Sequence, residues 1–280
     1  MAFHENREYP LDIPITAVRF HNMNFLAHWH AEMELVLVLD GQISLGVNSG
    51  QIVLETGDMA MFSNDNIHFY DSKNDESTVL IIVFQPEMIE SIVDFTENIS
   101  YSNIIVQKMT LANGSVSEQT LIEMRKCFET IFDELNSKKP EYKLLIKARL
   151  IELIGLFRRC RPRDAETAAN SALGDSNTKI IQKAIRYIGD NYSHDISLED
   201  ISNYMNISTF YFSRIFSKST GLTFKNYLNS YRIEKAQKLI VSTSQQIVDI
   251  AYECGFSSVR TFNRVFKSVR GITPSSLRGN

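Results

Sequence analysis

The chain has 280 residues, a mass of 32.0 kDa and a formal net charge of −4. With 44% apolar and 22% charged residues it has the composition of an ordinary globular protein, and its length favours two domains over one. No apolar run approaches the roughly 20 residues that span a bilayer. The three cysteines form no CxxC motif, so we expect neither a disulfide framework nor a zinc site from Cys127, Cys160 and Cys254. The first residues lack a signal-peptide pattern, so we expect a cytoplasmic protein.

The charge is divided unevenly along the chain. Residues 176–280 carry 14 Lys and Arg against 7 Asp and Glu, a net charge of +7. Residues 1–175 carry 15 against 26, a net charge of −11. A basic segment is the electrostatic signature of a nucleic-acid-binding domain, so the C-terminal third is predicted to bind DNA while the rest repels phosphate.

Residues 15–85 are typical of a small β-sandwich or barrel. Short apolar runs are separated by Gly, Asn and Asp signals, and the runs lie at 35–39, 43–47, 52–54, 59–62 and 78–84. Asp40-Gly41 closes the first run and predicts a turn between two strands.

Histidine and glutamate side chains gather in this half of the chain. Their pattern is H-x-H-x3-E-x6-G followed by a further Gly and His, and it comprises His28, His30, Glu34, Gly41, Gly57 and His68. This pattern resembles the cupin signature. In metal-bearing cupins three histidines and one glutamate bind a divalent metal, so the resemblance implies a candidate ligand set of His28, His30, Glu34 and His68.

We nevertheless predict an effector pocket that needs no metal and no cofactor. A straight strand would leave Glu34 roughly 13 Å from His30, so a metal site requires the chain to bend at Ala31-Glu32. Ser63 and Asp65 stand where enzymatic cupins usually have Pro and Gly. Aromatic, acidic and imidazole groups suit sugar hydroxyls, and the predicted effector-binding residues are His28, Trp29, His30, Glu32, Glu34 and His68. In a regular strand, Trp29 would face away from the histidines.

Residues 118–160 change to a helical period. Two amphipathic stripes, separated by Lys138-Lys-Pro140, predict a helical hairpin that covers the barrel or pairs with a second subunit. The apolar residues of these stripes are Leu121, Met124, Phe128, Ile131, Phe132 and Leu135, then Leu144, Leu145, Ala148, Ile151, Leu153, Ile154 and Phe157. Residues 161–176 lack aromatic side chains and a firm period, which predicts a linker.

The C-terminal third contains a repeated stretch. Phe212-Ser-Arg-Ile-Phe216 and Gly221-Leu-Thr223 recur 50 positions later as Phe262-Asn-Arg-Val-Phe266 and Gly271-Ile-Thr273. Repetition at one spacing indicates a supersecondary unit that has been built twice. In each copy the apolar residues share one helical face, and a Ser N-cap and a Gly stop bound the helix; these are Ser208, Ser258, Gly221 and Gly271.

Further helices precede each copy and join the two. Ser197 and Asp200 predict a capping box before the first repeated helix, and Thr243 and Gln246 predict one before the second. A longer apolar stripe after Thr223 predicts a connecting helix. The segment therefore predicts two helix–turn–helix units.

An ordered series of motifs in this third resembles the AraC/XylS family of bacterial transcription regulators. The series runs over Ile196-Ser-Leu-Glu-Asp-Ile, Phe212-Ser-Arg-Ile-Phe, Gly221-Leu-Thr-Phe, Tyr231-Arg-Ile-Glu-Lys-Ala, Ile250-Ala, Gly255-Phe, Phe262-Asn-Arg-Val-Phe-Lys and Gly271-Ile-Thr-Pro274. The resemblance implies two helix–turn–helix units on one long helix, which read consecutive major grooves of a promoter. It also implies a small effector, often a sugar, in the N-terminal barrel.

The resemblance and the outward helical positions together imply two sets of DNA-binding residues. The first recognition helix offers Phe210, Tyr211, Ser213, Arg214, Ser217 and Lys218. The second offers Arg260, Thr261, Asn263, Arg264 and Lys267. Arg clamps guanine and Asn clamps adenine through paired hydrogen bonds in the major groove, although over half of protein–DNA hydrogen bonds go to the backbone.

The fold expected is a cupin-like β-barrel with a helical hairpin, followed by an all-α domain with two helix–turn–helix motifs joined by a long helix. We expect residues 1–160 to form the effector-binding and dimerisation domain, 161–176 the linker and 177–280 the DNA-binding domain. The expected function is a promoter-binding homodimeric regulator, an activator that contacts RNA polymerase, controlled by a carbohydrate. The alternatives are a metal-dependent cupin enzyme with a DNA-binding appendage, and a regulator whose barrel only dimerises.

Overall fold

The computed structural model describes residues 13–47, 50–62, 66–72, 76–89, 104–107, 116–160 and 172–278, with the backbone alone for 172–176. The N-terminal half is a β-barrel in which the pairings described are all antiparallel. Its strands are β1 (Ile15–His21), β2 (Asn24–His28), β3 (Met33–Val47), β4 (Gly50–Glu55), β5 (Met59–Phe62), β6 (His68–Asp71), β7 (Ser77–Phe84) and β8 (Ile104–Val106). The predicted all-β half is therefore confirmed, although β8 had no counterpart in the sequence-based prediction.

β3 is one strand of 15 residues that belongs to two sheets. Its first part pairs with β5 and β7, and its second part pairs with β4 and β6. The turn predicted at Asp40-Gly41 is wrong, because the ladder to β7 shifts register between Val38 and Asp40 and the strand continues. Gly41 has φ 73°, and a Cβ there would lie 1.9 Å from the Glu76 carbonyl oxygen, so the bend requires glycine.

The helical hairpin is confirmed as α1 (Glu118–Ser137) and α2 (Tyr142–Arg159). Ser117 caps α1 by accepting a hydrogen bond from the Thr120 amide, and Lys138 ends it in the left-handed conformation. Met124, Phe128 and Ile131 of α1 pack with the outer face of the β1–β7–β3–β5–β8 sheet in one apolar core. The hairpin thus covers the barrel, but Leu144 and Leu145 are 65% and 46% exposed.

The C-terminal half contains seven described helices: α3 (Ala172–Asn191), α4 (Leu198–Met205), α5 (Thr209–Thr220), α6 (Phe224–Ser242), α7 (Ile247–Glu253), α8 (Val259–Arg270) and α9 (Pro274–Arg278). Helix α3 begins inside the range predicted as a linker, of which 161–171 lie outside the described residues. A search of the described helices finds none that is long and apolar enough to cross a membrane.

The repeat is confirmed as α5 and α8, which are both 12 residues long. Ser208 and Ser258 accept a hydrogen bond from the amide three residues on, and Gly221 and Gly271 end the helices with φ 72° and 74°. The first unit, HTH1, is α4 with α5, and the second, HTH2, is α7 with α8. Helix α6 connects them, as predicted.

One predicted capping box is present and the other is not. Ser197 and Asp200 make both bonds of the box at the start of α4. The box predicted for Thr243 and Gln246 is wrong, because Gln246 makes no side-chain cap bond at α7. Thr243 instead ends α6, and its hydroxyl donates to the Leu239 carbonyl oxygen at 2.7 Å.

Candidate functional site

Helix α5 buries one face and presents the other to solvent. Phe212 and Phe216 are fully buried and Ile215 is nearly so. On the opposite side, Phe210 is 79% exposed and Arg214 and Lys218 are also exposed. These three outward positions inferred from the sequence are therefore available to a partner, since the apolar stripe faces the core.

The other three candidates on α5 are only half-buried, and one has a partner inside the protein. The Tyr211 hydroxyl donates to Asn177 Oδ1 at 2.7 Å, which ties the start of α5 to α3. The Arg214 guanidinium lies 5.7 Å from the centre of the Tyr211 ring. Tyr211 therefore has a structural role that the sequence did not indicate, while Ser213 and Ser217 lie at the border of the exposed face.

Helix α8 presents a more polar surface. The exposed candidates on this helix are Arg260, Asn263, Arg264 and Lys267. Thr261 is half-buried, because its amide and its hydroxyl both bond to the N-cap residue Ser258, at 3.2 and 3.0 Å. Two guanidinium groups and one carboxamide on consecutive outward positions are the side chains that best clamp purine edges in the major groove.

Arg232 of α6 joins the segment that precedes HTH1 to HTH2. It is buried and donates to the carbonyl oxygens of Tyr192 and His194, each at 2.7 Å, in the segment between α3 and α4. Its guanidinium also lies 5.8 Å from the Phe256 ring in HTH2. Gly255, at φ 83°, sits so close that a Cβ would meet the Tyr192 carbonyl oxygen at 2.6 Å.

Inside the barrel the side chains of His28, His30, Glu34 and His68 converge, and we call this group the histidine cluster. Their candidate ligand atoms all lie within 4.8 Å of one another, and each residue is buried. The chain does bend at residues 31 and 32, which brings Glu34 Oε2 to 3.0 Å from His30 Nε2 and 3.6 Å from His68 Nε2. One argument against a metal, that a straight strand holds Glu34 away, therefore does not apply.

Backbone carbonyls set the orientation of all three imidazoles. Nδ1 of His28, His30 and His68 lies 2.8, 3.1 and 2.9 Å from the carbonyl oxygens of residues 26, 32 and 66. A carbonyl oxygen only accepts, so each Nδ1 carries a proton and each neutral ring keeps its Nε2 lone pair. Among the described residues, the buried His68 Nε2 has no hydrogen-bond partner.

Glu34 is held as a carboxylate. Burial raises its pKa, but His68 and His30 outweigh that effect and keep the pKa of Glu34 well below its usual range. Its other oxygen, Oε1, accepts a short hydrogen bond from the Tyr70 hydroxyl. Burial, together with His68 and His30, lowers the pKa of His28, which favours a neutral imidazole. A neutral His28 imidazole therefore lies beside the Glu34 carboxylate, with the Nε2 atoms of His30 and His68 3.0 and 3.6 Å from Glu34 Oε2.

This donor set fits a divalent transition metal. Imidazole nitrogen and carboxylate oxygen are ligands of zinc, manganese and iron(II), and metal-bound histidines usually donate their other N–H to a carbonyl, as all three do here. Bonds of about 2.1 Å place ligand atoms of a tetrahedral ion roughly 3.4 Å apart, close to the spacing in the cluster. When bound, such an ion would supply a Lewis-acidic centre to which His28, His30, Glu34 and His68 are the ligands.

The remaining effector candidates lie elsewhere. Trp29, just after β2, faces away from the histidines, as alternation predicts, and is buried in a different apolar core. A carboxylate oxygen of Glu32 lies 3.6 Å from His30 Nδ1, on the outer side of that ring. Ser63 and Asp65 lie outside the described residues. Tyr70 was missed, although its position two residues after His68 on β6 is the alternation signal that places both on one face.

Each half of the chain matches a known protein family model. Residues 11–154 match the family model of the AraC-like ligand binding domain, and residues 201–280 match that of a helix-turn-helix domain. The HTH-type transcriptional activator RhaR of Mannheimia succiniciproducens is 24% identical over 266 residues, which cover 95% of this chain and 91% of RhaR.

Other similarities are confined to one half or to low identity. Regulatory protein PocR of Salmonella typhimurium is 35% identical over 98 residues, which cover 35% of this chain and 32% of PocR, so the match spans about a third of each protein. A structure of ToxT from Vibrio cholerae O395 covers 95% of this chain and 98% of ToxT, with 14% identity and a TM-score of 0.49. The chain belongs to the AraC family of transcription regulators, with an AraC-like ligand-binding domain followed by a helix-turn-helix DNA-binding domain.

Proposed function

We propose that this regulator is a transcriptional activator whose barrel binds a divalent metal ion at the histidine cluster, and that the occupied cluster is its effector site. One observation supports the metal site: three imidazoles and a carboxylate place their candidate ligand atoms within 4.8 Å of one another. The Nδ1 atom of each imidazole already donates to a backbone carbonyl oxygen. Without a cation, His30 Nε2 at 3.0 Å from Glu34 Oε2 needs a second proton on the ring. A divalent ion satisfies all four groups at once.

A carbohydrate is the second candidate effector. Glu34 and the histidines carry the hydrogen-bonding groups that suit sugar hydroxyls. The four donor groups stand too close together for a sugar ring to enter between them, and Trp29 lies on the other side of the strand. A sugar would therefore bind beside the cluster, with its hydroxyl oxygens directed at a metal held there.

The DNA-binding surface of the proposal consists of the exposed faces of α5 and α8. Arg214 and Arg264 occupy equivalent outward positions in the two copies. The proposal places the protein in the cytoplasm with its promoter. Activation is proposed because the relative matched over 95% of this chain bears the name of an activator; an activator would contact RNA polymerase. An enzyme built on the same cluster is the rival, and turnover in the presence of metal would reveal it.

A homodimer is proposed through the exposed side of the helical hairpin. Leu144 is 65% exposed and Ala148, one turn later on α2, is also exposed, while Ile122 on α1 is 55% exposed. Paired half-sites favour a two-fold symmetric regulator. Leu144→Glu is expected to give a monomer in analytical ultracentrifugation, whereas Lys147→Glu, on an exposed neighbouring position, leaves the mass unchanged.

Metal analysis of the purified protein tests the cluster. We expect close to one zinc, manganese or iron per chain, removed by chelation and restored by adding Zn²⁺ or Mn²⁺. His68→Ala should lose the metal, whereas His21→Ala, which alters an exposed histidine bonded to Thr78, should retain it. If the purified protein contains no metal and takes up neither ion, the proposed metal site is wrong and the carbohydrate effector remains.

A further inference from the structure

Two segments of the barrel, at the end of β2 and the start of β6, carry the histidine cluster on one face and part of the DNA-binding domain's core on the other. On the first segment His28 and His30 alternate with Ala27 and Trp29. On the second, His68 lies between Ile67 and Phe69. Because neighbouring residues share one backbone and their side chains point to opposite faces, a backbone shift that moves the histidines also moves these apolar residues.

The apolar residues pack against HTH1 and its flanking helices, and we call this contact the coupling face. Ala27, Trp29, Ile67 and Phe69 share one buried core with residues of α3, α4, α5 and α6. That core includes Ile185, Phe212, Phe216, Phe224 and Tyr227, which are buried on the helical side. HTH1 therefore does not complete its own core, since the barrel supplies one wall of it.

Three directed contacts fix the geometry of the coupling face. The Tyr227 hydroxyl donates to the Ala27 carbonyl oxygen at 2.6 Å, and both residues are fully buried. The Arg186 guanidinium lies 5.9 Å from the centre of the Trp29 ring. Phe69 lies so close to Gly221, the residue that ends the first recognition helix, that a Cβ there would come within 2.8 Å of its ring.

Among the described residues, no barrel residue belongs to the apolar core of HTH2. The members of its apolar core, including the partly buried ones, all lie between Ile233 and Leu277. A cleft of about 370 Å³ separates the barrel from the end of α8, with Asn24 and Phe25 on one side and Ser268 and Arg270 on the other.

We propose that metal occupancy of the histidine cluster controls DNA reading by HTH1 through the coupling face, while HTH2 binds DNA independently of the metal. This inference rests on the proposed metal site. A metal at the cluster fixes His28, His30 and His68, and hence the surface of Ala27, Trp29 and Phe69 on which HTH1 is seated. By linkage, DNA bound at HTH1 changes the affinity for metal by the same factor that metal changes the affinity for DNA.

The test uses the full chain, Zn²⁺ as the metal and a DNA duplex selected by this protein from a random pool. We expect chelation to change the dissociation constant for this duplex by about 5- to 150-fold, the usual range of coupling between two sites. Mutating the half-site that HTH1 contacts should abolish this metal dependence. Mutating the HTH2 half-site should lower the affinity equally with and without zinc.

Tyr227→Phe removes only the hydroxyl that reaches Ala27, and we expect it to bring the zinc-dependent ratio close to one. Tyr231→Phe is the matched control, because Tyr231 is buried one turn later on α6 in the same core. Trp29 is the sole tryptophan, so its fluorescence reports zinc binding in every variant. That signal should persist in Tyr227→Phe.

The outcomes separate the two proposals. If neither zinc nor manganese binds, the metal site and the coupling both fall. If zinc binds but leaves DNA affinity unchanged, or acts through the HTH2 half-site, the coupling alone is overturned. Equal loss of the ratio in Tyr227→Phe and Tyr231→Phe would also overturn it, since the effect would then be one of general packing.

Discussion

The two helix–turn–helix units are copies of one design that differ in what completes them. Both recognition helices have 12 residues, a serine N-cap and a glycine end. HTH1 shares its core with Ala27, Trp29 and other barrel residues, whereas the described core of HTH2 is made from its own segment. The two units therefore share the helical pair and differ in what packs against it.

The exposed faces of the two recognition helices also differ. HTH2 presents Arg260 and Asn263 where HTH1 presents Phe210 and Ser213, and both have an arginine at the following position. Arginine and asparagine read bases through paired hydrogen bonds, which phenylalanine and serine cannot form to the same extent. If the proposed DNA-binding residues are right, HTH1 has fewer base-clamping side chains and is also the unit that shares its core with the barrel. This suits the proposed division, in which HTH2 binds DNA independently of metal and HTH1 responds to metal.

The largest expected effect distinguishes the apolar core that HTH1 shares with the barrel from the core of HTH2. Phe216→Ala and Phe266→Ala remove equivalent rings that are both fully buried, and each should lower the free energy of unfolding by about 3–5 kcal/mol. Phe216→Ala should also lower the temperature at which Trp29 fluorescence reports unfolding, because both residues lie in one core. Phe266→Ala should leave that transition in place and be seen by calorimetry. Equal shifts of the Trp29 transition would mean that the halves unfold as one unit.

The next effect concerns the bond between the units. Arg232→Met leaves the carbonyl oxygens of Tyr192 and His194 without their charged donor, which should cost about 1.5–3 kcal/mol. The variant should also bind a duplex carrying both half-sites less tightly, because the two units lose their fixed relation. Lys238→Met, an exposed position on α6, is the control for chemical denaturation. If Arg232→Met lowers the free energy of unfolding no more than Lys238→Met does, Arg232 does not connect the two parts of the domain.

A smaller effect is expected on the affinity for DNA. Arg264→Ala should weaken binding to the selected duplex by about 1–3 kcal/mol if it clamps a guanine, equally with and without metal. Arg214→Ala, the equivalent change in HTH1, should lose affinity by an amount that depends on metal. Lys267→Ala should reduce the slope of log affinity against log salt by roughly one unit for all sequences. Equal loss on selected and random duplexes would make Arg264 a phosphate contact.

How much the sequence predicted depends on the range of the interactions involved. The repeat, the caps at Ser208 and Ser258 and the glycine ends are local signals, and all are confirmed. The cupin resemblance named the four residues of the histidine cluster, but local periodicity does not predict their closure, because it depends on a bend at residues 31 and 32 and on the bulge between β2 and β6. The packing of Trp29 against HTH1 joins residues far apart along the chain, so no local period indicates it.

The smallest expected effect compares the two caps. Ser208→Ala and Ser258→Ala each remove the acceptor for an amide in the first turn, at a cost of about 1 kcal/mol in unfolding free energy. The same loss should have different consequences. Ser208→Ala loosens α5, whose core is shared with Trp29, so it should lower the Trp29 transition slightly and weaken the zinc dependence of DNA binding.

Ser258→Ala loosens a helix with its own core, so its cost should appear only in the unfolding of HTH2 and in metal-independent DNA affinity. Asp at either position also caps a helix and should restore most of the stability. Ser257→Ala, at the exposed neighbouring position, should stay within about 0.5 kcal/mol of the parent. If Ser258→Ala altered the zinc dependence as much as Ser208→Ala, the sensor would be acting on both units, and the distinction between a metal-responsive HTH1 and a metal-independent HTH2 would be lost.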